Sequence, residues 1–426
     1  MAEITFADVV HQSVSFSKSD PAEKLILALI DDPWVQRLRD ISQTANTRLV
    51  YMFSEHSRFG HSLGVAYMAN NLMKKLADSY PDQVKLWRPA VLTSALLHDI
   101  GHLAPGSHTA HRTWFPNSHD NHEETAARII LGNKNLHGIL AAFDKELPTL
   151  TCALLSESTE VPPWAWQIIS GGGWNVDRGN WCIVDSIMAG VSYGRYNITA
   201  LTDAMMITSD GHLAVRETRL DAMTHFALSR HAMYRQLYQH RVILAADTIN
   251  RAIAQRARDL VAESGKVPFF ADSVMAAVLA AKSSNELTLE TIFQMRESWW
   301  RYHLMQWRTD SDPILSDLAR RLLDRDLFKT IKITTPEDRT LQRETTQNAV
   351  RRAGFDPRYY LHEVEASDSH ANEESQAMPV VLDDGSVHSL TQAEPLLYAM
   401  MKESGLGVKG WFVVPDKVKS ALGMVR

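Results

Sequence analysis

Apolar positions recur at helical spacing along most of the chain, and the interruptions of that spacing divide it into elements. The segment ILALIDDPWVQRLRDI (26–41) breaks at Pro33 and resumes as a helix whose Val35, Leu38 and Ile41 share a face. HSLGVAYMANNLMKKL follows, with Leu63, Met68, Leu72 and Leu76 forming a stripe. A third helix is predicted over 87–100, apolar on most sides and therefore central, ending at Gly101 as helices often do. Residues 101–123 then turn to Pro, Gly and Ser with five further histidines, His102, His108, His111, His119 and His122, which reads as a loop. Helical spacing returns in HEETAARIILG, over 164–169 and over 181–194, while MMITSDGHLAV reads as a hairpin around Asp210-Gly211.

A long amphipathic stretch covers 219–262, and helices continue to about residue 329. The charged, Thr-rich run ITTPEDRTLQRETTQ interrupts them, and the polar run at 365–376, EASDSHANEESQ, is the best linker. After it come a strand (PVVLDD), a turn at Gly385-Ser386, a helix (TQAEPLLYAMMKES) and a strand (KGWFVVP). The expected fold is mainly α, a helical body over 1–360 with a small C-terminal α+β region over 361–426.

Composition narrows the classes. With 45% hydrophobic and 22% charged residues the chain is globular, and a net charge of -6 gives no electrostatic reason to expect a duplex nucleic-acid partner. Two cysteines, Cys152 and Cys182, exclude a disulfide framework or a thiolate zinc cluster. The start MAEITFADVV lacks the pattern of an export signal, and no stretch nears the ~18 apolar residues of a membrane span. The expectation is a cytoplasmic protein with no membrane association.

The candidate chemistry begins at His98 and Asp99, adjacent residues closing an apolar run. An imidazole and a carboxylate at the end of a buried helix are costly to hide unless paired or bound to metal. One helix face offers few inward positions, so further ligands must come from other segments. His61 begins one helix, and Asp177, read as lying just before the 181–194 helix, supplies a second carboxylate. Taken alone, a histidine on an apolar face is more often a satisfied core residue. Together, two histidines and two carboxylates suit Mn, Fe, Mg or Zn and leave room for water and substrate oxygens. Such a site can polarise a phosphoryl group, and phosphoester hydrolysis is the simplest reading.

RLRDISQTANTRLVYMFSEHSRFGHSLGV, LLHDIGHLAPGSH, HEETAARII and NVDRGNW resemble the successive motifs of HD-domain phosphohydrolases. The branch they resemble contains the SAM-and-HD-domain deoxynucleoside triphosphate triphosphohydrolases and their bacterial relatives. The likeness runs on through RHAMYRQLYQHRVILAADTI and LARRLLDRDLFKTI to the tail. It implies His61, His98, Asp99 and Asp177 as metal ligands, and His102, His108 and His122 as active-site histidines, with His108 as general acid. It implies hydrolysis of a deoxynucleoside triphosphate to nucleoside and inorganic triphosphate. Arg58 and Arg178 match phosphate-contacting cations, Gln43 and Asp185 match groups that bind the sugar 3′-hydroxyl, and Tyr238 matches an aromatic lining the nucleoside pocket.

Asn180, Trp181 and Val184 stand where the family has Asp, Tyr and Arg, and the histidine loop is one residue longer, so the resemblance leaves sugar selectivity open. Arg230, Tyr234, Tyr238 and Arg241, at i, i+4, i+8 and i+11, share a helix face suited to a nucleotide's rings and phosphates. Relatives assemble as homo-oligomers, some with a nucleotide effector at subunit interfaces, and both are implied here. Other readings are an HD phosphohydrolase or nuclease acting on another phosphoester or single-stranded nucleic acid, an HD-fold di-iron oxygenase, and a nucleotide sensor.

Overall fold

A computed structural model describes residues 2–105, 109–265, 271–333, 338–366, 378–396 and 409–423. It opens with a hairpin that the helical reading passed over. β1 (Glu3–Asp8) and β2 (Gln12–Ser17) pair antiparallel, and Val14 and Phe16, two apart, turn into the core at strand period.

Helices dominate from there. α1 (Pro21–Ile30) and α2 (Pro33–Arg37) each begin with proline after an aspartate whose side chain caps the first turn, so the expected break at Pro33 is a helix start. α3 (Arg58–Ala77) buries Leu63, Met68, Leu72 and Leu76, the stripe read from the sequence. α4 (Pro81–Leu97) starts six residues before the expected 87, carries Pro89 internally, and packs along α3 as the centre of the body. The histidine loop contains a short helix, α5 (Ala110–Trp114), before α6 (His122–Gly132), α7 (Lys134–Phe143), α8 (Leu147–Leu155) and α9 (Pro163–Gln167).

α10 (Val176–Met188) begins five residues earlier than expected, because Asn175 caps it through the Arg178 backbone N–H. Asp177 therefore sits inside its first turn rather than before the helix. After α11 (Ile198–Ala204), β3 (Met205–Ile207) and β4 (Leu213–Arg216) form the expected hairpin. The stretch read as one amphipathic helix is broken: α12 (Leu220–Met233) runs into a wide π turn at Tyr234–Tyr238, and α13 (Arg241–Ser264) starts anew after His240. Arg241 thus does not continue the face of Arg230, Tyr234 and Tyr238.

α14 (Ser273–Ala280), α15 (Leu289–Gln294), α16 (Glu297–Trp307) and α17 (Pro313–Leu323) complete the body up to β5 (Lys329–Lys332). The Thr-rich run expected as an interruption is helical from Arg339, in α18 (Arg339–Arg352), with Thr346 buried; α19 (Pro357–Tyr360) follows. Most of the expected linker lies outside the described residues, as does the tail helix beyond 396.

The remaining strands are β6 (His362–Ala366), β7 (Pro379–Val381), β8 (Val387–Ser389) and β9 (Lys409–Val414), with α20 (Leu390–Ala393) and α21 (Asp416–Ala421) beside them. β9 lies antiparallel between β5 and β6, and β7 joins β4 in parallel, so strands from both sides of residue 361 share two small sheets. The fold is mainly α with small sheets. Among the described residues no helix is long and apolar enough to cross a membrane.

Candidate metal centre and its surroundings

Three helix ends meet at one point. The first turn of α3 carries Arg58 and His61, the C-terminal end of α4 carries His98 and Asp99, and the first turn of α10 carries Asp177. His61 Nε2 lies 2.9 Å from Asp177 Oδ1, 3.2 Å from His98 Nε2 and 3.6 Å from Asp99 Oδ2. His98 Nε2 is 3.4 Å from Asp99 Oδ2 and 3.5 Å from Asp177 Oδ1.

The other ring nitrogen of each histidine decides what these short distances mean. His98 Nδ1 donates to the Ala95 carbonyl at 2.9 Å, and His61 Nδ1 donates to Asn180 Oδ1 at 2.9 Å. With Nδ1 carrying the proton, each neutral imidazole presents its Nε2 lone pair to the centre. Two lone pairs and two carboxylate oxygens so close repel one another unless a proton or cation lies between them. A divalent ion with bonds of about 2.0–2.2 Å and angles of ~90–110° holds neighbouring ligand atoms roughly 2.8–3.6 Å apart. The separations among His61, His98 and Asp177 fall in that range, so these three fit a cation, and Asp99 Oδ2 stands at the same distances from the two histidines.

The electrostatics agree. Burial alone would lower the His98 imidazole, but Asp99 and Asp177 outweigh it and lift it to about 9, which marks the centre as a place that favours positive charge. Burial works against ionisation of Asp99 as well, yet Arg58, His98 and His102 keep that carboxyl well below its ordinary range. Asp177 is likewise held down, against burial, by His61 and His98.

Asp99 faces two ways. Its Oδ2 meets Arg58 Nη1 at 2.6 Å, and its Oδ1 meets His102 Nε2 at 3.2 Å. The His102 ring stacks on His122 with centroids 3.9 Å apart. His61, His98 and Asp177 form one group able to hold an ion, and Asp99, His102 and His122 form another. His108 lies outside the described residues.

The remaining sequence candidates divide. Asp185, buried on α10, accepts from His56 Nε2 at 2.7 Å and from the Tyr238 hydroxyl. Trp181 meets Tyr238 and Tyr234 edge to face, with centroids 5.3 and 5.9 Å away, and the Arg230 guanidinium lies 5.0 Å from the Tyr234 ring. Gln43 joins this region through its backbone N–H, which donates to the His56 carbonyl. Arg178 donates to the Gly171 and Gly172 carbonyls, and Arg241 is exposed beyond the helix break.

His56 and Asn180 were not among the sequence candidates for direct roles. His56 lies five residues before His61, the one local signal that could have drawn notice. Beside His61 opens a cleft of about 550 Å³ whose lining includes His56, Arg39, Val184 and the hairpin residues Phe6 and Val14. Val184, standing in place of the family's arginine, thus lines a cleft of mixed polar and apolar residues.

Comparisons with known proteins bear on this geometry. The HD domain family pattern matches residues 58–165, which hold His61, His98, Asp99, His102 and His122. An uncharacterized Bacillus subtilis protein, YwfO, is 30% identical over 404 residues, 93% of this chain and 88% of its own length. Deoxynucleoside triphosphate triphosphohydrolase SAMHD1 of Bos taurus is 21% identical over 80% of this chain, which spans 60% of that protein. A solved phosphohydrolase structure from Bacteroides thetaiotaomicron superimposes with a TM-score of 0.79 at 21% identity, covering 97% of this chain and 99% of its own.

Proposed function

Since the chain belongs to the HD-domain phosphohydrolase family, we propose that it hydrolyses deoxynucleoside triphosphates to nucleoside and inorganic triphosphate with a divalent metal held by His61, His98, Asp99 and Asp177. The observation carrying this reading is the convergence of His61 Nε2, His98 Nε2 and Asp177 Oδ1, 2.9–3.5 Å apart, with Asp99 Oδ2 3.4–3.6 Å from the two histidines and each histidine's Nδ1 proton committed elsewhere. When bound, the metal supplies Lewis-acid polarisation of a phosphoryl oxygen and activation of water. The identity of the ion, Mn, Mg, Fe or Zn, is for experiment to fix.

The chain's own groups have separate tasks. Arg58 neutralises Asp99 and fixes its orientation, so the carboxylate stays ionised at its place in the centre. His102 and His122, stacked against the far oxygen of Asp99, are placed to meet phosphate charge and move a proton to the departing 5′ oxygen. By resemblance alone His108 shares that work as general acid. Asp185, with His56 and Tyr238 on its two oxygens, is a ready acceptor for a sugar hydroxyl, and Gln43 is tied to the same His56 through its backbone N–H. Trp181 packed on Tyr238 forms the floor beneath the nucleoside, and the Arg230 guanidinium beside Tyr234 is the phosphate contact on that side, whereas the positions of Arg178 and Arg241 do not support the phosphate roles that the resemblance implied. We place the protein in the cytoplasm as a homo-oligomer responsive to nucleotides.

The test is product analysis. Purified protein with Mn or Mg is offered dNTPs, NTPs and short single-stranded oligonucleotides, and phosphorus NMR identifies what is released. Inorganic triphosphate from dNTPs, lost in His98→Ala, supports the proposal; phosphate or pyrophosphate instead, or no turnover of any nucleotide, overturns it.

The second group, Asp99, His102 and His122, favours one competing reading, a two-metal HD-fold oxygenase. Two irons per chain with turnover that consumes oxygen would establish that reading.

A further inference from the structure

One buried partner of the centre departs from the family pattern: Asn180 stands where the resemblance places an aspartate. Asn180 is fully buried on α10, three residues after Asp177, and its Oδ1 accepts the His61 Nδ1 proton at 2.9 Å. Its amide nitrogen Nδ2 is also buried and has no hydrogen-bond acceptor among the described residues. Gly64, three residues after His61 on α3, faces that amide so closely that a Cβ there would lie 2.4 Å from Nδ2. The amide therefore occupies a slot left by a missing side chain, at the cost of an unsatisfied donor.

The pairing has a chemical consequence. An oxygen on Nδ1–H holds His61 in one tautomer and aims the Nε2 lone pair at the centre. A carboxylate there would also push electron density through the ring and make Nε2 a stronger donor; a neutral amide does so weakly. His98 offers no comparable handle, because its Nδ1 partner is the Ala95 backbone carbonyl.

We propose that Asn180 is a positioning residue that fixes the His61 tautomer and, being uncharged, keeps the centre's affinity for a divalent cation below what an aspartate there would give. The inference rests on the metal-centre reading and uses no substrate, so it stands or falls apart from the identity of the nucleotide. Partners of metal-bound histidines change metal affinity by about 10–100-fold.

The experiment titrates metal-stripped full-length wild type, Asn180→Asp and Asn180→Leu with Mn alone by calorimetry, and reads the His61 ring by long-range nitrogen NMR without metal. The proposal expects Asn180→Asp to bind Mn about tenfold or more tighter, and Asn180→Leu about tenfold or more weaker. It also expects His61 to carry its proton on Nδ1 in wild type and Asn180→Asp, but to lose that preference in Asn180→Leu.

Gly64→Ala, which crowds the amide without touching a ligand, should shift affinity in the direction of Asn180→Leu. Equal Mn affinity in all variants, or weaker binding by Asn180→Asp, overturns the proposal, as does an unchanged tautomer in Asn180→Leu. If the charged variant does not fold, the leucine variant and the tautomer decide. Absence of Mn binding by wild type itself would instead refute the metal centre, and the tautomer would still report on Asn180.

Discussion

Gly101 is the residue where a single methyl group should do most damage to the histidines proposed to act in catalysis, His102 and His122. It follows the His98-Asp99 pair, and it looks at first like a helix terminator. α4, however, already ends at Leu97, and Gly101 does not adopt a left-handed backbone. What demands glycine is the first turn of α6: a Cβ at 101 would lie 2.0 Å from the His122 carbonyl oxygen and 2.6 Å from the Ala126 nitrogen. Both are backbone atoms, so no rotamer change relieves the clash.

Restoring even a 3.4 Å contact requires the α6 terminus to retreat by about 1.4 Å, carrying His122 with it. Overpacking of this kind costs roughly 1–3 kcal/mol, a fall in Tm of about 1–3 °C for a chain of this length. The larger effect falls on the reaction, since His122 is stacked at 3.9 Å on His102. Displacing a positioned group by over 1 Å costs on the order of 100-fold in rate. Gly101→Ala should therefore lose about two orders of magnitude in kcat, measured as triphosphate release, while calorimetric Mn affinity at the His61 and His98 centre changes by less than about threefold. A variant with wild-type Tm and kcat within about twofold would refute the reasoning.

Other predictions concern the surroundings. Burial lifts Asp247 to about 6, against the Asn46 hydrogen bond and Arg251, so the folded state holds this proton more tightly than the unfolded chain. Its contribution is therefore full below the ordinary carboxyl value of ~3.9 and lost as pH rises through 6. Asp247→Asn, which keeps an oxygen for Asn46, should raise Tm at pH 8 and not at pH 4; equal shifts at both would count against it. Burial lowers His111 and His362 to about 4 each, so their contributions are present above the ordinary ~6.5 and drain away as pH falls towards 4. Replacing either with Gln should flatten the acid limb of a Tm–pH curve.

Arg256, buried on α13, forks onto Asp312 at 2.7 and 3.1 Å, and Asp312 also caps α17. Arg256→Ala should cost about 3–5 kcal/mol in chemical denaturation. Mn affinity should be unchanged, and a loss of metal binding would show that this brace reaches the centre.

How much of this was legible depended on whether local periodicity or distant packing decides a residue's place. The α3 stripe and the buried α4 follow from apolar spacing, and with them His61 at one helix start and His98-Asp99 at another's end. Asp177 was found as a residue type near a helix start, but its position inside α10 depends on the Asn175 cap, a hydrogen bond weaker in the text than apolar spacing. The break after Tyr238 escaped because apolar residues keep helical spacing across 234–241 while the backbone widens into a π turn. The N-terminal hairpin was hidden by its brevity. His56 and Asn180 carry no motif signal for their roles, since each is defined by a partner more than a hundred residues away.

The central claim is that four side chains from three helix ends hold one divalent cation. Anomalous diffraction from crystals soaked in Mn tests it most directly. The account predicts a peak within about 2.0–2.3 Å of His61 Nε2, His98 Nε2, Asp99 Oδ2 and Asp177 Oδ1. It also predicts loss of that peak in His98→Ala. A fully occupied Mn elsewhere with none at this point, or a peak that survives His98→Ala unchanged, would contradict it.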